Sequence, residues 1–204
     1  LSLAVDYLLQ ACEAIAEAHA AGIVHRDLKP GNLFLARQSD GSEKIKVLDF
    51  GISKSVIVGT GLPGADDAKL TKTSDVFGSP MYMSPEQLKS ARDVDARADL
   101  WALGAILFEL LTGKAPFERG TIAEIFGAIL HERAPHLRDL LPSAPEELDR
   151  VLDRCLQKDP ERRYAHVAQL AQALLPFGPR SSRPAAERAA RVMRRAGVEV
   201  GSVP

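Results

Sequence analysis

Within eight residues, His25-Arg26-Asp27-Leu28-Lys29-Pro30-Gly31-Asn32 brings together an acid, an amine and an amide in a turn fixed by Pro-Gly. These residue types can do chemistry on a charged substrate. A carboxylate can take a proton from an attacking hydroxyl, an ammonium neutralises anionic charge, and carboxylate or amide oxygens are hard ligands for a divalent cation. Asp49 adds a second carboxylate ahead of Phe50-Gly51. The eight-residue set is specific: five identities at about 5% each recur by chance about once in a few million positions. Asp-Phe-Gly alone is weak, and its weight comes from its place after that loop.

Such groups need rigid elements to aim them. Val5, Leu8, Cys12, Ile15 and Ala16 recur at helical spacing between Leu3 and His19, and Gly22 supplies a stop. Three β-type runs follow, at Ile23–His25, Leu33–Leu35 and Ile45–Leu48. The last two flank a polar stretch with Asp40-Gly41 and predict a small hairpin. Residues 51–85 lack sustained periodicity, a loop of the length that is usually functional. Asp95 is expected to cap a helix over 96–112, apolar nearly all round and ended by Gly113, which reads as the buried central helix. Helical patterns near 121–132, 145–157 and 165–175 come next. The one at 145–157 follows Ser143-Ala144-Pro145-Glu146, a capping-box spacing with Pro at the first helical position. Residues 177–204 shift to Pro, Ser, Ala and Arg, with six Arg against two Glu. That composition predicts a linker carrying a short helix over 185–196, with a basic membrane-surface or docking segment as the alternative.

The 204 residues, 46% hydrophobic and 26% charged with a net charge of −1, are those of a globular chain. A chain this long can bury about 70% of its unfolded surface and needs no disulfide or structural metal. The charge balance gives no general reason to expect nucleic acid as partner. Cys12 and Cys155 stand far apart, outside any zinc or disulfide spacing, which fits core positions in a reducing compartment. The longest apolar stretch, Leu100–Leu111, is too short to span a membrane and contains Glu109. Leu1 is not an initiator and no signal peptide opens the chain, so it reads as part of a longer polypeptide and as cytoplasmic, on a parent that a membrane tether would also suit.

The loop at 25–32 resembles the catalytic loop of the eukaryotic-type serine/threonine protein kinases, including their bacterial branch. Asp49-Phe50-Gly51 resembles that family's metal-binding triplet. Gly78 to Glu86 is similar to the segment that closes the activation loop, with Ser84-Pro85-Glu86 where Ala-Pro-Glu is usual. Asp99-Leu100-Trp101 looks like the start of the central helix, and Asp159 to Arg163 like the late motif whose arginine pairs with Glu86. The resemblance implies a mainly α (α+β) fold, the kinase large lobe: helical, with a small hairpin at the catalytic loop, over residues 1–176, with an activation segment over 49–86. By the same resemblance Asp27 orients and accepts from the attacking hydroxyl, Lys29 holds the transferring phosphate, and Asn32 and Asp49 bind Mg²⁺ or Mn²⁺. Phe34 would floor the ATP pocket. His25 would be a packed loop residue, Gly51 the turn after the ligand, and Asp99 a brace beneath the loop. Thr71 and Thr73 resemble self-phosphorylated positions, with Arg26 as the cation for such a phosphate, and Ser79 falls near the catalytic acid.

No Val-Ala-Ile-Lys-like strand and no partner glutamate are present, so the β-rich small lobe is expected upstream in the parent polypeptide, with protein substrates as the other partners. Gly59, Gly61 and Gly64 form a Gly-x-Gly-x-x-Gly on the wrong side of the catalytic loop and read as activation-loop flexibility. Two alternatives stand beside the kinase: a small-molecule phosphotransferase of the same superfamily, and a catalytically inactive lobe serving as a regulatory or binding module.

Overall fold

The computed structural model describes residues 1–50, 80–90 and 94–201. Helix α1 (Ser2–Ala20) buries Val5, Leu8, Leu9, Cys12, Ile15 and Ala16 along one face. It stops where Gly22 takes φ +74° and Ile23 N–H returns to the Ala18 carbonyl at 2.9 Å.

Strands β1 (Leu33–Arg37) and β2 (Glu43–Val47) pair antiparallel, with Leu35 opposite Ile45. Their turn closes through Asp40, whose Oδ1 accepts from Ser42 N–H at 2.9 Å, followed by Gly41 at φ +82°. Ile45 N–H donates to Gln10 Oε1 of α1 at 2.8 Å, tying the edge of β2 to that helix. The β-type run at Ile23–His25 is not a strand. Its backbone donors at His25 and the following Arg26 go instead to the side chain of Asp99, and a segment whose N–H groups are taken by a carboxylate cannot also run a ladder.

Beyond the short α2 (Pro85–Lys89) lies α3 (Arg97–Thr112), which buries eleven consecutive residues from Ala98 to Phe108. Asp95 Oδ1 accepts from Arg97 N–H at 2.8 Å, and the helix ends at Gly113 in the left-handed region. Helix α4 (Ile122–His131) packs on α2 and on the turn at Pro80–Tyr82, while α5 (Leu137–Leu140), α6 (Glu146–Cys155) and α7 (Val167–Leu174) pack on α3. A Cβ on Gly104 would fall 2.5 Å from Cys155 Cβ, so α3 and α6 are in backbone-close contact there. Trp101 stacks on Phe117 with ring centroids 5.3 Å apart.

The capping box expected at Ser143 does not form. Pro145 itself is the N-cap of α6, so the helix begins one residue late and leaves Ser143 outside reach of its first amides. The short helix expected over 185–196 forms as α8 (Arg183–Arg195), docked on other helices rather than carried on a free linker. Its Ala185, Ala186, Ala189, Ala190 and Met193 are buried against α1 and α7, and small side chains let two helices approach closely. Arg188 donates Nε and Nη2 to the Glu13 carboxylate of α1 at 2.5 and 2.8 Å, and Ser182 Oγ donates to Asp6 at 2.5 Å. No described helix is long and apolar enough to cross a membrane.

Candidate active site

A buried carboxylate is tolerated only when its oxygens are fully met by donors, and Asp99, 1% exposed in the first turn of α3, meets that condition with the loop itself. Its Oδ2 accepts from His25 N–H at 2.9 Å and from His19 Nε2 at 2.8 Å, and its Oδ1 accepts from Arg26 N–H at 2.9 Å. Arg26 stands at φ +65°, a conformation uncommon for a long side chain. The strain is held from both ends, because the Arg26 carbonyl also accepts from Gln87 Nε2 of α2 at 2.7 Å. The Arg26 guanidinium donates to the Val94 carbonyl at 3.3 Å.

His25 is fully buried. Its Nδ1 accepts from Asp27 N–H at 3.3 Å and its Nε2 faces the Leu48 carbonyl at 3.0 Å, which fixes the tautomer with the proton on Nε2. Its ring also lies 4.8 Å from that of Phe50. His25 thus couples the loop to the end of β2. Leu48 is gripped a second time, since its N–H donates to the Asn32 carbonyl at 2.8 Å. The next residue, Asp49, takes φ +53°, a left-handed conformation that Asp tolerates better than most. Those two bonds bring the Asp49 backbone against the loop at 25–32.

Within the loop, Asn32 Nδ2 donates to the Asp27 carbonyl at 2.8 Å, which turns the amide oxygen to the other side. Lys29 Nζ lies 3.4 Å from Asp27 Oδ2. The oxygens of Asn32 and Asp49 are the right chemistry for Mg²⁺ or Mn²⁺. Among the described residues no group of three or more His, Cys, Asp or Glu side chains that could hold a metal ion assembles. Phe34 on β1 is 55% exposed, with Leu35 and Leu48 also exposed nearby in the hairpin.

Helix α2 is anchored through Glu86. Arg163, with no exposed side-chain surface, donates Nη1 and Nη2 to the Glu86 carboxylate at 2.7 and 2.8 Å, Nε to the Gln157 carbonyl at 2.8 Å, and Nη1 again to the Arg97 carbonyl at 2.9 Å. Its guanidinium lies over Trp101, and Lys158 Nζ lies 4.0 Å from the centroid of the Phe117 ring. Burial and the nearby Arg163 push the Lys158 amine down to about 8.

Asp27, Lys29, Asn32 and Asp49 therefore gather where the loop meets the hairpin, while Glu86 and Arg163 join beneath them. Gly51, Thr71, Thr73 and Ser79 lie outside the described residues, as do Gly59, Gly61 and Gly64. His19 and Gln87, which complete the loop's suspension, were not singled out from sequence. A histidine on the last turn of an otherwise apolar helix was the available signal for the first; nothing local marks the second.

The profile of the protein kinase domain matches residues 2–175. The chain is 43% identical over 173 residues to the serine/threonine-protein kinase Pkn1 of Myxococcus xanthus, covering 83% of this chain and 23% of that protein. It is 36% identical over 172 residues to the serine/threonine-protein kinase PknJ of Mycobacterium tuberculosis, covering 83% and 28%. With the serine/threonine-protein kinase PknB of Mycobacterium leprae it shares 34% identity over 178 residues, covering 84% and 26%. The chain thus spans about a quarter of the length of the curated relatives it matches.

Proposed function

The chain belongs to the protein kinase family, and on that premise we propose that it is the large lobe of a serine/threonine protein kinase, which transfers the γ-phosphoryl group of ATP to Ser or Thr hydroxyls of protein substrates. The observation that carries the proposal is the suspended loop: Asp99, His25 and Leu48 hold Asp27, Lys29 and Asn32 at the end of β2, where Asp49 begins. Preorganisation of this kind is what phosphoryl transfer asks of a protein, since positioning and charge do most of the work.

Asp27 orients the substrate hydroxyl and takes its proton at a carboxylate oxygen. Lys29, already 3.4 Å from Asp27, meets negative charge on the phosphoryl group in flight. Asn32 and Asp49 would hold Mg²⁺ through their oxygens, and the metal when bound neutralises charge across the phosphates. Phe34 and its exposed neighbours form the nucleotide-facing surface. The lysine and glutamate that complete the family's ATP site come, in this reading, from a small lobe upstream in the same polypeptide, and residues 1–176 are the lobe proper. Lys29 favours Ser/Thr over Tyr as acceptor, and Arg26 would pair with a phosphate on Thr71 or Thr73.

The test is labelled phosphate transfer from Mg-ATP to the protein itself and to a generic basic protein, with this chain, the longer polypeptide, and each carrying Asp27→Asn. The expected result is transfer by the longer polypeptide, lowered by about 10²- to 10⁴-fold in its Asp27→Asn form. Transfer by the longer polypeptide that survives Asp27→Asn would overturn the assignment. A silent but folded longer polypeptide would transfer the case to an inactive regulatory lobe.

A further inference from the structure

Helix α8 has two faces of opposite character. The inner one is alanine, buried on α1. The outer one is arginine: Arg183, Arg191, Arg194 and Arg195 are all exposed and fall within about 120° of one another around the helix, interrupted by Glu187, with the exposed Arg180 in the turn just before it. Among the described residues none of the five forms an ion pair. Arg188, the sixth, lies at the edge of this face and is paired with Glu13.

The charge is also unevenly divided. Residues 177–204 hold six Arg against two Glu, while the rest of the chain holds twenty basic against twenty-five acidic residues. A near-neutral molecule thus carries one strongly basic stripe about 20 Å long, on a surface otherwise acidic in balance.

We infer that the outer face of α8 docks this lobe, by charge alone, against an anionic phospholipid surface. A planar guanidinium fork matches phosphate oxygens two at a time, and a straight stripe on a rigid helix fits a flat sheet of phosphates. A nucleic-acid duplex fits less well. It would face the acidic remainder of the chain as it wrapped, and no aromatic residue stands among the arginines for stacking on bases. Insertion into the bilayer is ruled against by the fold, because the apolar face is already spent on α1 and is made of alanine, which gains little in hydrocarbon. Arg188–Glu13 and Ser182–Asp6 lock the stripe in register with α1, so docking would set the orientation of the whole lobe toward the surface.

The experiment is co-sedimentation of the chain with vesicles of phosphatidylcholine alone and of phosphatidylcholine with about a third phosphatidylglycerol. It is run at about 0.1 M and about 0.5 M salt, with a fluorescently labelled DNA duplex as a parallel probe. The expected result is binding to the anionic vesicles only, largely abolished at high salt, where the Debye length falls from about 10 Å to less than half that. Each exposed arginine is worth about a five-fold change in affinity near such a surface. Arg183, Arg191, Arg194 and Arg195→Gln together should therefore weaken binding by about 600-fold with an unchanged melting temperature. Equal binding to neutral vesicles, no binding to either, or tighter binding to the duplex at the same salt would each overturn the inference. So would a four-fold variant that binds like the parent chain.

Discussion

Asp99 does more for the loop than a sequence position suggests, since one carboxylate accepts from the successive backbone N–H groups of His25 and Arg26 and from the His19 imidazole. Hydrogen bonds to a charged group contribute about 1.5–3 kcal/mol each. Asp99→Asn keeps one oxygen but turns an NH₂ toward donors, and should cost about 3 kcal/mol, read as a lower urea midpoint at unchanged slope. A melting curve that does not move would show that the loop is held elsewhere. Asp27, Lys29, Asn32 and Asp49 could be singled out as candidates because they sit within short motifs whose residue types are chemical. The partners that hold them were less so: His19 lies 80 residues from Asp99 and Gln87 lies 61 from Arg26, separations no local pattern encodes.

Elements show the same division between what is local and what is not. Helices α1 and α3 and the hairpin follow from periodicity and from Gly22, Asp40-Gly41 and Gly113, all of which act within a few residues. The run at Ile23–His25 misled because β-propensity describes side chains, while its backbone donors were claimed from α3. Two glycines test packing in opposite directions. Gly127 in α4 has open space where a Cβ would go, so Gly127→Ala should stabilise by about 0.5–1 kcal/mol. Gly104→Ala would drive a methyl into Cys155 and should destabilise by about 1–3 kcal/mol. Paired thermal melts decide both. Helix α7 carries a pH dependence of its own: His166 caps it by accepting Gln169 N–H on Nδ1 and reaches the Glu199 carbonyl through Nε2. Burial holds its imidazole below the ordinary value of 6.5. The unfolded chain therefore binds a proton before the folded one does. The cap's contribution is complete above about pH 6.5 and is lost as pH falls through the folded value. Melting temperature should drop between pH 7 and pH 5, and less steeply in His166→Asn, which caps without titrating.

At the scale of the whole molecule, α8 decides where the folded unit ends. The kinase profile stops at residue 175, yet the alanine face of α8 covers α1, and Glu13 would be left without its arginine if the chain were cut there. A chain ending at 178 should melt several degrees lower, at roughly 2–4 °C per kcal/mol lost for this size. Equal melting temperatures would show α8 to be an ornament. The tail's helix was legible but its docking was not, because alanine is a weak hydrophobic signal and its partner face lies about 170 residues earlier. The double grip on Leu48 has a consequence of a different kind. Its amide, together with those of His25 and Arg26, is donated to a buried or loop-locked acceptor, so these three hydrogens cannot meet solvent deuterium by simple fluttering of the loop. Those of His25 and Arg26 must wait for the first turn of α3 to let go and that of Leu48 for the turn at Asn32, and in an exchange experiment the loop at 25–32 should keep the slow clock of the helical core rather than the fast one of a surface turn.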